Sequence, residues 1–247
     1  MPSHNSARPA LNAVKALRLS ELAASQRVFV ARGSRVSRCD DCMLAEKHCI
    51  CNERPEPLNG VAVCLVYYKG EVFKPSNTGR LIADVVTDTH AFLWQRKSSH
   101  PDMLALLRNP DYAPVVVFPY EYAEPERQLR DDPTLFAYIG TRTPLLIFLD
   151  GTWREARKMF RSDWLNQLPV IAIEPEQASR YLLREAVHEH QLGTAEVAIP
   201  ILQRLQRVEM ATSLEAWFSL FRERYLAGKS NLLPSNTALQ QGRQSED

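Results

Sequence analysis

The sequence predicts an α/β fold, a mostly parallel sheet flanked by helices with a small N-terminal four-cysteine module, and three observations carry that reading. Apolar, β-branched runs recur at residues 61–67, 91–94, 115–118, 145–149 and 170–173, without the polar alternation of a strand that faces water on one side. Segments with helical spacing lie between and after them, at 77–86, 102–108, 154–163, 176–187 and 195–208, so that strand and helix alternate. Four of the five cysteines fall within thirteen residues ahead of the first strand.

Taken in chain order, residues 1–34 form a basic arm. Between residues 1 and 38 seven cations (Arg8, Lys15, Arg18, Arg27, Arg32, Arg35 and Arg38) face one acid, Glu21, although the whole chain carries a net charge of only +1. A polyphosphate partner suits that excess, and a solvated helix and linker is the alternative. Residues 35–60 hold the cysteines, 61–228 form a catalytic α/β domain, and the polar stretch 229–247 lacks periodic apolar residues and reads as a flexible tail. The last helix is expected after Ser213 as its N-cap, with Leu214, Trp217, Phe218, Phe221 and Tyr225 towards the core and an end near Gly228. With 45% hydrophobic and 24% charged residues and no secretory or membrane-length apolar run, the expectation is a globular cytoplasmic protein with no membrane association and no evident obligate protein partner.

Cys39 and Cys42 form one close pair and Cys49 and Cys51 another, the pattern of tetrahedral thiolate coordination of Zn2+. Four protein ligands leave no open position, so the zinc would be structural. Cys64 lies inside a strand run and reads as a small buried apolar residue.

Three further segments carry chemistry. In 74–80, Lys-Pro-Ser-Asn-Thr-Gly-Arg, Ser76 or Asn77 can cap a helix and Gly79 leaves room for a ligand near exposed amides, with a plain helix cap and glycine turn as the alternative. In 149–153, Leu-Asp-Gly-Thr-Trp, Asp150 ends the most hydrophobic strand, where open α/β sheets place their ligands. The helix that follows sets Trp153, Ala156, Met159, Phe160 and Trp164 on one side and Arg154, Arg157, Lys158 and Arg161 in an adjoining stripe, suited to RNA phosphates or to a plain solvated face. The third segment runs from Ser179-Arg-Tyr-Leu-Leu-Arg to Leu192-Gly-Thr-Ala-Glu, and on the residues alone most of it reads as packing and capping. The fingerprints Gly-x-Gly-x-x-Gly, Gly-x-Ser-x-Gly and His-Glu-x-x-His are absent.

Together the cysteine pairs, Pro-Ser-Asn-Thr-Gly-Arg-Leu (75–81), Asp-Gly-Thr-Trp (150–153) with Glu-Ala-Arg-Lys-Met (155–159), and Thr-Ala-Glu-Val-Ala (194–198) resemble the DTW-domain proteins, with the closest match to bacterial tRNA-uridine aminocarboxypropyltransferases. The resemblance covers about residues 27–229 in the same order. One departure is that many relatives carry His-x-x-Glu where this chain has Tyr68 and Glu71. The resemblance implies a SPOUT-like fold, with a C-terminal knot as an option, and transfer of the 3-amino-3-carboxypropyl group of S-adenosylmethionine to N3 of a tRNA uridine, in the variable loop, with release of methylthioadenosine. It also implies a cofactor pocket lined by Phe118, Thr152, Trp153, Tyr181 and Thr194, with Asn77 and Arg80 on the amino-acid tail or the nucleotide.

Uridine N3 is a poor nucleophile until it loses its proton, so a carboxylate is expected beside it: Asp150 first, Glu196 second. Two other functions remain open on sequence grounds, a SPOUT-like RNA methyltransferase and a non-catalytic zinc-containing RNA-binding protein.

Overall fold

The structure, a computed structural model, describes residues 12–25, 36–96, 98–173 and 193–230. The expected helix over 176–187, Tyr181, the arm cations Arg8, Arg27, Arg32 and Arg35, and tail residues 231–247 lie outside the described residues.

Five strands, β1 (Leu58–Tyr67), β2 (Val86–Leu93), β3 (Tyr112–Val117), β4 (Thr143–Asp150) and β5 (Val170–Ile171), form one sheet in the order β2-β1-β4-β3-β5. Every pairing in it is parallel. Side chains alternate across the sheet with a period of two, so each apolar run feeds two cores. Val61, Val63, Leu65 and Tyr67 of β1 belong to one, and Ala62, Cys64 and Val66 to the other. This is why the central strands read as unbroken apolar runs. Cys64 is fully buried as expected, and burial pushes its thiol up to about 12.

Helices cover both faces. On the first lie α1 (Ala13–Ala24), α2 (Gly79–Val85), α4 (Asp132–Ile139), α6 (Thr194–Arg204) and α7 (Val208–Ser230), while α3 (Pro101–Arg108) and α5 (Trp153–Phe160) cover the second. The cysteine segment joins the first core through Leu44 and Ile50, both nearly inaccessible. Burying such a side chain contributes roughly 1.5–3 kcal/mol. No described helix is long and apolar enough to cross a membrane.

Four elements depart from the sequence expectation. Strand β2 begins at Val86, five residues before its apolar run, because it borders the described sheet and tolerates the polar stretch Thr87-Asp88-Thr89-His90. Helix α7 begins at Val208, so Ser213 is an interior residue and not a cap; the turn before it is closed by Gln206 at φ 58° and by the Ala211 amide donating to Arg207 O. Helix α4 escaped the reading by its shortness, yet the Asp131 carboxylate caps it by accepting from the Thr134 amide at 2.8 Å. Helix α1 occupies part of the basic arm, and its cations are engaged. Lys15 pairs with Asp41, and Arg18 is buried and donates to the Asp40 carbonyl.

Candidate functional site

Because all five strands run the same way, their carboxyl ends share one edge, and Tyr67, Leu93, Val117 and Asp150 finish there together. Asp150 pairs in register with Tyr67, and the Tyr68 amide donates to its backbone carbonyl at 2.9 Å.

The Asp150 side chain is 5% exposed and fastens two distant segments to the end of β4. Its Oδ1 accepts from Asn77 Nδ2 at 2.8 Å, and its Oδ2 accepts from the Thr194 hydroxyl at 2.9 Å. Burial pushes this carboxyl up to about 6; the two hydrogen bonds and Lys74 oppose the rise, and the charge of Glu71 adds to it. A carboxylate near neutrality can hold or release a proton at physiological pH.

Close packing sets the small residues of this hub. A Cβ on Gly79 would stand 2.5 Å from Asp150 Oδ2 and 2.7 Å from the Tyr67 hydroxyl, so only glycine lets α2 start here. A Cβ on Gly193 would meet Thr78 Oγ1 at 2.9 Å, the same oxygen that accepts from the Ala195 amide. Glu196 turns back on its own helix, where its Oε2 accepts from the Gly193 amide at 2.5 Å. That is a capping contact. The Tyr67 hydroxyl is buried and has no hydrogen-bond partner among the described residues; burial, then the Asp150 charge, pushes it well above the usual tyrosine range.

Beside the hub, Trp153 opens α5. As the spacing implies, it lies on the side of Phe160, which also stacks on Phe118; Trp153 is 38% exposed and stacks on buried Phe118 with centroids 5.4 Å apart and planes at 14°. Tyr122 meets the Trp153 ring edge-on at 5.5 Å. Thr152 caps α5, its amide and hydroxyl both donating to Glu155 Oε2 at 2.8 and 2.7 Å. Ala156, Met159 and Phe160 are buried as the periodicity implies, whereas Trp164 lies past the helix end in a short 3-10 turn. Arg154, Arg157, Lys158 and Arg161 are all exposed, and the Arg157 guanidinium lies over the Tyr122 ring at 5.2 Å.

Arg80 is not part of this edge. It is buried, donates to the Pro75 carbonyl at 2.9 Å and lies over the Phe221 ring at 4.8 Å, so it faces α7. Burial brings its guanidinium down to about 10.

The cysteines form a second centre. The Cys39 amide donates to Leu44 O at 2.9 Å and the Met43 amide to Cys39 O at 3.0 Å, which folds 39–44 into a tight turn with Met43 at φ 61°. The sulfurs of Cys39, Cys42, Cys49 and Cys51 all lie within 4.8 Å of one another, with Cys39 to Cys51 at 3.6 Å and Cys42 to Cys49 at 3.9 Å. These match the edge of about 3.8 Å of a tetrahedron with metal–sulfur bonds of about 2.3 Å. Their mutual contact holds the Cys42 thiol below and the Cys51 thiol above the usual range. The cluster could hold a metal ion.

The Tyr67 hydroxyl, the Thr78 contact, Tyr122 and the pairing of Tyr68 with Trp94 are not legible as site features in the sequence. Tyr67 and Trp94 each end a strand run, which was the available signal.

Fold and site together define an all-parallel α/β protein with a four-cysteine cluster and an acidic strand end that gathers three motif segments. The chain belongs to the DTW-domain family, whose model matches residues 36–226, a family linked to tRNA-modifying enzymes. No solved structure matches it.

Proposed function

We propose that the protein is a tRNA-uridine aminocarboxypropyltransferase that acts in the cytoplasm on a uridine of the tRNA variable loop, with a structural zinc held by Cys39, Cys42, Cys49 and Cys51. The observation that carries this reading is the near-neutral carboxylate of Asp150, held by Asn77 and Thr194 beside an exposed indole and a cationic helix face.

The residues present suit the co-substrate. Trp153 on Phe118 offers a flat apolar face to an adenine, and the electron-rich rings of Trp153 and Tyr122 suit a sulfonium. S-adenosylmethionine supplies the 3-amino-3-carboxypropyl group on a sulfonium leaving group, so its transfer to N3 leaves methylthioadenosine. Thr152, at the start of α5, borders the same side.

Asp150 is enclosed, so the N3 proton reaches it through Thr194, which is half-buried. Thr194 Oγ1 takes that proton and passes its own to Asp150 Oδ2 along the 2.9 Å hydrogen bond. The remaining contribution is placement, since correct orientation of two reactants can remove several kcal/mol of the barrier. Arg154, Arg157, Lys158 and Arg161 hold tRNA phosphates. Mass spectrometry of nucleosides from tRNA incubated with enzyme and S-adenosylmethionine tests the reading: the aminocarboxypropyl increment on uridine supports it, and a methyl increment or none contradicts it.

A further inference from the structure

Tyr68 and Trp94 take no part in the chemistry above, yet they occupy the same edge of the sheet. Tyr68 follows β1 and Trp94 follows β2, the first two strands in the sheet order, and the Trp94 amide donates to Tyr67 O at 2.8 Å. Their rings stack with centroids 5.5 Å apart and planes at 20°. The Trp94 indole N–H donates to Ser162 Oγ at 2.9 Å, which fixes that ring from α5's far end. Lys158 lies 5.6 Å from the Tyr68 centroid and 5.3 Å from the Trp94 centroid, and its ammonium donates to the Tyr68 hydroxyl at 3.3 Å. Both rings are only partly buried, and Lys158 is exposed.

The two rings rest against the second core and keep part of their surface open beside the exposed Lys158 ammonium. Stacked aromatics bordered by cations are the composition of a single-strand nucleic-acid platform: ring faces take bases of any sequence, and ammonium groups take the adjoining phosphates. Arg154, Arg157 and Arg161 are exposed on the same helix and the segment just past it, so the surroundings carry the complementary charge. The platform lies across the Asp150 strand end from Trp153 and Phe118, since β1 and β3 flank β4 on opposite sides.

We propose that Tyr68, Trp94 and Lys158 form a nucleobase-stacking subsite that receives an unpaired base of the RNA, next to the base being modified, together with its phosphate. This rests on the RNA-modifying reading above. A subsite of this kind explains how an enzyme selects loop uridines, since bases in a duplex are stacked on each other and cannot use the rings.

The test measures binding of three RNAs to the full-length protein by fluorescence anisotropy: whole tRNA, a uridine-rich single strand, and a blunt duplex of the same length. Tyr68→Leu and Trp94→Leu are expected to weaken the single strand and tRNA about 5-fold to 100-fold, and to leave the duplex and S-adenosylmethionine affinities within twofold. Tyr68→Phe keeps the ring and is expected to retain most of the affinity, which separates stacking from a folding defect; Arg154→Gln, a phosphate contact, should weaken all three RNAs alike. Single-strand affinity within twofold of wild type in both leucine variants, while wild-type protein still binds and modifies tRNA, overturns the subsite alone. Wild-type protein that neither binds nor modifies tRNA overturns the RNA-modifying reading and the subsite with it.

Discussion

Asn77 donates from its side-chain amide to Oδ1 of Asp150 across 2.8 Å, joining the loop before α2 to the end of β4 over 73 positions of sequence. This bond stabilises the charged form of Asp150 against the burial that pushes its carboxyl up to about 6. Asn77→Ala therefore raises that value further. The rate of a single turnover should rise with pH through a midpoint near 6 in the wild type, and the midpoint should move upward in the variant. An unchanged midpoint would separate Asp150 from the chemistry.

The raised carboxyl also links stability to pH. Its folded value lies above the unfolded value of about 3.9, so the contribution of this group is fully present below about pH 4 and is lost as pH rises through about 6. Asp150→Asn removes that loss while keeping nearly the same shape. The variant should match or exceed wild-type stability at about pH 8, by an order of magnitude of 2–3 kcal/mol at most, with the difference shrinking towards pH 4. It should also lose most of its turnover, because the amide accepts no proton. Urea unfolding at several pH values checks the first outcome and single-turnover kinetics the second.

Gly79 allows the closest approach in the hub, where a methyl would stand 2.5 Å from Asp150 Oδ2. Gly79→Ala should cost about 1–3 kcal/mol in urea unfolding, because the carboxylate and the Tyr67 ring must both shift in a packed interior. Activity should fall further than stability. A variant as stable and active as wild type would show that this edge of the sheet is looser than its distances indicate.

The cysteine cluster should bind one zinc per chain, measurable by metal analysis with thiol titration. Because Leu44 and Ile50 of that segment are in the main core, metal removal should expose apolar surface and lower the unfolding midpoint of the whole protein. Cys42→Ser should reproduce the effect, and Cys64→Ala should leave metal content unchanged. Purified protein without metal and with four freely reactive thiols contradicts the assignment.

What the sequence made legible follows from how local each signal is. The cysteine pairs are thirteen residues long from end to end and declare their geometry by spacing. The central strands β1 and β4 are buried on both faces and show it as apolar runs. Border strand β2 hid its polar first half, and α7 hid its start because a turn through Gln206 at positive φ separates it from α6 by only a few residues. At the site, Asp150, Asn77 and Thr194 were each picked out by motif, but their mutual hydrogen bonds join residues 73 and 44 positions apart and exist only once the sheet is assembled. Trp153 shares the side of Phe160, both stacking on Phe118, as the spacing implies, but its partial exposure was not legible because spacing cannot tell a core position from a ring resting on a buried neighbour at the strand ends.

The most direct test of the central claim, that Asp150 serves alkyl transfer to a tRNA uridine, is nucleoside mass spectrometry after a single turnover at saturating S-adenosylmethionine and tRNA. The account predicts uridine carrying an aminocarboxypropyl group and an equal amount of methylthioadenosine with the wild type, and almost none of either with Asp150→Asn. Methylated uridine with the wild type, or undiminished product from Asp150→Asn, would contradict it.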